Sequence, residues 1–130
     1  MFVFFPSWGQ TSTIKPAPSF ETFTKIPDEI DGCSCTFSKN QLDFNNEKYI
    51  YANDYAEIAF ISINKKLVKF KLVSMKGNVS HYSNKDYKLR IDIKSEKPSG
   101  EESSILKGIM TLTNKQGQKT ITNFTGECGC

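Results

Sequence analysis

The sequence predicts an all-β fold: an antiparallel meander of about seven strands, forming a small barrel or sandwich, with cysteines joining the first strand to the last. Three observations carry this expectation. Nearly every apolar segment after Asp31 alternates with a period of two, and no segment carries a convincing helical stripe. The third is that Cys33-Ser34-Cys35 and Cys128-Gly129-Cys130 repeat one spacing at the two ends of this region.

The elements follow in order. Cys33 to Phe37 opens the set. A helix of a turn or two fits Ser38 to Glu47, with Ser38 as its cap and Leu42 and Phe44 available for packing, while Asn45 and Asn46 argue against anything longer. Tyr49 to Ala52 and the β-branched, aromatic run Glu57 to Ile63 read as strands. Asn64-Lys65 supplies a tight turn, because Asn tolerates positive φ, and Leu67 to Leu72 returns with Val68, Phe70 and Leu72 on one face. In Tyr87 to Lys94 the residues Tyr87, Leu89, Ile91 and Ile93 face one way and four charged residues face the other, as a half-buried strand requires. Ile105 to Thr113 and Lys119 to Thr125 complete the set, turned by Gly117. Ser95 to Ser104, with Pro98, Gly100 and two adjacent glutamates, reads as a flexible loop.

A chain of 130 residues has room for one core. Its 38% hydrophobic and 24% charged composition is that of a folding chain. Residues 1–9 are apolar and end in small residues at Ser7 and Gly9, so they read as a partial signal peptide cleaved before Gln10. Residues 10–30 carry Pro16, Pro18 and Pro27 and read as a Pro-rich extended linker. Residues 31–130 form the β domain. No apolar run reaches the roughly 18 residues of a membrane-spanning helix; the signal-like segment and the paired cysteines lead to the expectation of an exported protein, periplasmic or extracellular.

On extended backbone the C-x-C spacing puts both sulfurs of a pair on one face. Antiparallel end strands would join Cys33 to Cys130 and Cys35 to Cys128; parallel ones would swap partners. The alternative is a thiolate metal or redox module using Cys33, Cys35, Cys128 and Cys130. It is disfavoured because metal knuckles and redox dithiols use C-x2-C, and exported proteins seldom keep thiols.

No catalytic set emerges. His81 is the only histidine, no G-x-S-x-G elbow occurs, and carboxylate pairs such as Glu101 with Glu102 fall in loop-like segments. No cofactor is expected. Charge is more informative: Lys65 to Lys94 holds nine basic residues against Asp86 and Asp92, while the whole chain is only +3. Lys69, Lys71, Lys88 and Arg90 would merge into a basic face if their strands lie side by side. The competing reading is that these lysines guard strand edges. An acidic macromolecule or an envelope protein fits the face as partner. Nucleic acid does not, since Phe70 and Tyr87 alternate to the opposite side from where bases would stack.

Gly32-Cys33-Ser34-Cys35, Gly126-Glu127-Cys128-Gly129-Cys130 and Tyr49-Ile50-Tyr51-Ala52-Asn53-Asp54 together resemble a family of small bacterial exported proteins of unassigned function. The resemblance spans roughly residues 28 to 130 and implies no activity. A looser, architectural similarity is to the small β-barrel inhibitors of C-type lysozyme. Only Lys76-Gly77-Asn78 followed by Tyr82 is reminiscent of their Ser-Gly-x-x-Tyr loop, and the spacing departs from it. The functional expectation is an exported, non-enzymatic β module that binds a macromolecule at the cell envelope. A metal or redox module, a periplasmic inhibitor or immunity-type protein, and an enzyme acting through His81 are the alternatives.

Overall fold

The computed structural model describes residues 17–55 and 57–130; residues 1–9, expected to be a partial signal peptide, and the start of the linker lie outside them. Eight antiparallel strands follow one another around a closed barrel. They are β1 (Ser34–Ser38), β2 (Tyr51–Asn53), β3 (Ile58–Ile63), β4 (Lys66–Lys76), β5 (Val79–Ser83), β6 (Tyr87–Pro98), β7 (Ser103–Asn114) and β8 (Lys119–Gly129). β8 returns to pair with β1, with Cys35 opposite Cys128 and Phe37 opposite Gly126. The antiparallel choice at this seam fixes the connectivity: Cys33 bridges Cys130 and Cys35 bridges Cys128, with Cα atoms 4.0 Å apart in each pair.

An eight-stranded barrel has an interior just wide enough for side chains to fill, and alternation delivers them. Phe37, Tyr51, Ile61, Phe70, Tyr82, Leu89, Ile91, Met110, Leu112 and Phe124 all point inward and are buried. The rings of Tyr51, Phe37 and Phe124 form a continuous stack, with centroids 4.7 Å and 4.1 Å apart. Two glycines make room for it. A Cβ on Gly126 would collide with the Thr36 carbonyl oxygen and the Phe37 ring, and one on Gly108 with the Asp92 carbonyl oxygen and the Phe124 ring. Each glycine sits directly opposite a phenylalanine or next to it in the ladder, so the ring can lie over bare backbone.

Several elements differ from the sequence expectation. The eighth strand is β5, around His81, a stretch to which the sequence reading assigned no element. It was obscured because its inward residues, Ser80 and Tyr82, carry hydroxyls. Ser95 to Ser104 is mostly strand: β6 runs to Pro98, β7 starts at Ser103, and the connection is tied by Ser99 N–H to Ser103 O at 3.0 Å. The short helix α1 spans Gln41–Asn45 and is capped by Asn40, not Ser38. The Ser38 hydroxyl donates to the Lys48 carbonyl, and Leu42 stays exposed. The Asn64-Lys65 turn forms as expected, with φ of 53° and 64°.

The linker carries more contacts than its composition suggests. Its described part is largely extended, with one turn closed by Ile30 N–H to Pro27 O at 3.0 Å, but it is not free. Pro18 and Phe20 are buried, and Phe20 joins the core cluster. Glu21 bridges Ser62, Phe23 bridges Tyr49, the Glu21 carboxylate accepts from Lys65 N–H, and the Pro18 carbonyl accepts from the Thr120 hydroxyl. The segment therefore straps across the end of the barrel where β3 turns into β4 and β7 into β8. The opposite end, where the cysteines sit, is the mouth.

Candidate functional site

The four predicted basic residues do not form one side-by-side patch. β5 lies between β4 and β6, so the register reads Lys71 opposite Ser83 and Ser83 opposite Lys88. Two of the four are already paired. Lys69 meets Glu29 at 2.6 Å, and Arg90 holds Asp92 in a fork of 2.9 and 3.0 Å. The hydrogen bonds from Arg90 pull the Asp92 carboxyl below the usual carboxylate range and raise the guanidinium in return.

Lys71 and Lys88 remain exposed, and among the described residues no carboxylate pairs with them. Beyond Lys88 the row continues through Thr113 to Lys119, a position the sequence reading missed. Strands lie about 4.8 Å apart, so backbones on alternate strands are spaced by about 10 Å along the wall. At the strapped end Lys88 also lines a groove of about 420 Å³, together with Lys85, Tyr87, Thr113 and the ion pair of Lys115 with Asp86 at 3.8 Å. The Asn84 and Asn114 amides in this groove hold the two turns that frame it, through bonds to Asp86 and Tyr87 N–H and to Gln116 and Gln118 N–H.

The edge-guarding explanation for the lysines does not fit this architecture. β4 is hydrogen-bonded on both sides, to β3 and β5, and β6 likewise to β5 and β7. A closed barrel has no edge to protect.

The cysteines are used up by their two bridges, which leave no free thiol. His81 points outward from β5, exposed, between Ser74 and Arg90. Tyr82 is 4% exposed inside the barrel and could not serve in a projecting loop of the lysozyme-inhibitor kind.

A second concavity opens at the mouth. Its walls are Phe37, Ile91, Ile93, Leu106 and the Cys35–Cys128 bridge, its polar residues are Tyr51, Tyr82, Asn53 and Ser80, and Tyr55 and Met75 stand at the rim. Met75 reaches it through a register shift between Leu72 and Ser74. The extra residue, Val73, re-aims the rest of β4, so that Met75 pairs with inward-facing Ser80. Within the cavity Asn53 donates to the Tyr51 hydroxyl at 2.8 Å, and Tyr51 donates to the Tyr82 hydroxyl at 3.1 Å.

Burial, and secondarily the neighbouring Tyr82, hold the Tyr51 hydroxyl well above the ordinary tyrosine range. The unfolded chain releases this proton near pH 10, whereas the folded protein keeps it. Stability from this group is therefore complete below about pH 10 and is lost as pH rises beyond it. Tyr51→Phe should lower stability by about 1 kcal/mol at neutral pH through lost hydrogen bonds, and should flatten the alkaline decline relative to wild type. Urea midpoints from about pH 8 to 11 check both effects; identical alkaline slopes would remove the buried, neutral Tyr51 from the account.

Fold and surfaces together define a class: an eight-stranded up-and-down barrel, stapled along its seam, strapped at one end and open at the other. No protein-family model, no curated protein and no solved structure matches the chain.

Proposed function

We propose that this protein is an exported, non-enzymatic barrel module that binds an acidic polysaccharide along the wall from Lys71 to Lys88 and into the groove beyond. The carrying observation is that Lys71 and Lys88 share one outer row without carboxylate partners, and that Lys88 leads into a concavity also lined by Lys85. Unpaired lysines present charge that a partner's anions can meet without first breaking an ion pair. Ser83 and Thr113 alternate with the lysines and can hydrogen-bond sugar hydroxyls. Tyr87, partly exposed, lines the groove beside Lys88 and can meet a saccharide there, whereas nucleic acid would need a series of stacking platforms on the wall itself.

Export is supported by the two disulfides, which persist in oxidising compartments. Among the described residues no helix is long and apolar enough to cross a membrane. The resemblance of the cysteine-bearing ends to small exported proteins points the same way.

Affinity chromatography on heparin and on polygalacturonate tests the reading. Lys71→Glu/Lys88→Glu should weaken retention by roughly tenfold at low salt, an effect that fades within the screening range of about 0.5 M salt. Lys69→Glu/Arg90→Glu reverses as many charges at positions already paired and should lose much less. Equal losses would mean that net charge alone governs retention, and the site would be abandoned.

A further inference from the structure

The mouth cavity is independent of the basic wall, and its chemistry identifies a different ligand. We infer that it is a binding site for a small neutral ring compound carrying one hydrogen-bond acceptor, such as a cyclic ketone.

Size comes first. The cavity measures about 140 Å³, and an apolar cavity of about 150 Å³ takes a benzene-sized molecule. A drug-sized ligand, which needs some 300 Å³ or more, does not fit. The lining is mainly apolar: Phe37, Ile91, Ile93, Leu106 and a disulfide. Charged ligands would lose their hydration there with no counter-charge on the cavity wall.

The acceptor requirement follows from the direction of the hydrogen-bond chain. The Asn53 amide donates to the Tyr51 hydroxyl, so the Tyr51 proton goes to Tyr82. Tyr82 accepts this bond, and its own proton has no acceptor among the described hydrogen bonds. At 4% exposure that donor sits in a cavity wall, where an unmet polar group is costly. The two donors behind it polarise it further. A carbonyl oxygen on the ligand would complete the chain, while the rest of the ring lies against the apolar wall.

The backbone around the opening suits a site that admits and covers a guest. The bulge at Val73 turns Met75 toward the cavity, and Met75 is 60% exposed, a flexible thioether free to close over a ligand. Across the rim Tyr55, 51% exposed, is held at a φ of 66°, which a tyrosine adopts only at some cost.

The test uses two isosteric probes, cyclohexanone and methylenecyclohexane, which differ only in the acceptor oxygen. Both are titrated into the oxidised protein while the methyl resonances of Met75, Ile91, Ile93 and Leu106 are followed. Saturable shifts confined to these methyls are expected, with cyclohexanone binding roughly five- to tenfold tighter for one added hydrogen bond. Tyr82→Phe should bring the two probes to equal affinity, and Met75→Trp, a change at the exposed rim, should block both. Absence of saturable shifts at these methyls, or shifts centred elsewhere, overturns the site. A preference for cyclohexanone that survives in Tyr82→Phe overturns the assignment of the donor and with it the ligand class.

Discussion

Replacing all four cysteines by serine is expected to destabilise the barrel by about 5–7 kcal/mol, the largest effect foreseen for any local change. The bridges span 97 and 93 residues, so either one removes most of the freedom of the unfolded chain. The two are not additive. Once Cys35–Cys128 is closed, Cys33–Cys130 adds a loop of only a few residues, for which the same chain-entropy relation leaves about 2 kcal/mol or less. Losing the inner bridge alone should hurt more than losing the outer one, because Cys35 and Cys128 are 5% and 8% exposed and pack in the core. Urea unfolding of the two double-serine variants and the fourfold variant measures all three. Intact mass under denaturing, non-reducing conditions, lighter by about four hydrogens than the reduced chain, confirms that both bridges are present at the start. A fourfold variant as stable as wild type would show that the seam holds without its staples.

Phe20→Ala should cost about 3–5 kcal/mol, the usual range for deleting a buried ring. Phe20 is 4% exposed although it lies more than ten residues before the first strand, and it belongs to the same cluster as Ile63, Phe70 and Leu112. Its removal opens the strapped end of the barrel and weakens the reasons for Glu21 and Phe23 to stay docked against Ser62 and Tyr49. The urea midpoint should fall with little change in slope. A loss below about 1 kcal/mol would mark the strap as a bystander, as expected of a true linker.

The strap also shows where sequence reasoning stops. Alternation made Tyr87 to Ile93 legible as a strand, and positive φ at Asn64 and Lys65 was foreseeable from a turn between two strands. The cysteine pairing followed once the end strands were antiparallel. These are local rules, or rules that need only one long-range fact. Pro18 and Phe20 look like linker residues because their value depends on an open barrel end 100 residues later, at Thr120. Ser80 and Tyr82 face inward, yet read as polar, because hydroxyls can be buried when they are bonded, as Tyr82 is to Tyr51. At the basic face the sequence identified the excess of lysine but not its sorting. Only the fold shows that Glu29 neutralises Lys69, that Asp92 holds Arg90, and that Lys119 extends the row. The mouth cavity had no sequence signature, since Phe37, Tyr51, Met75, Tyr82, Ile91, Leu106 and Cys128 come from seven different strands.

The seam has one consequence of a different kind. Residues 35 to 128 form a covalent macrocycle, with a second and slightly larger ring closed by Cys33 and Cys130. A protease that cuts the exposed connection between Pro98 and Ser103 would therefore release nothing. The two pieces would stay joined through both bridges, and their strands would still be paired on either side of the cut, β6 to β5 and β7 to β8. Such a nicked barrel separates into fragments only when a reductant and a denaturant act together, so a single cleavage there is not a route to its breakdown.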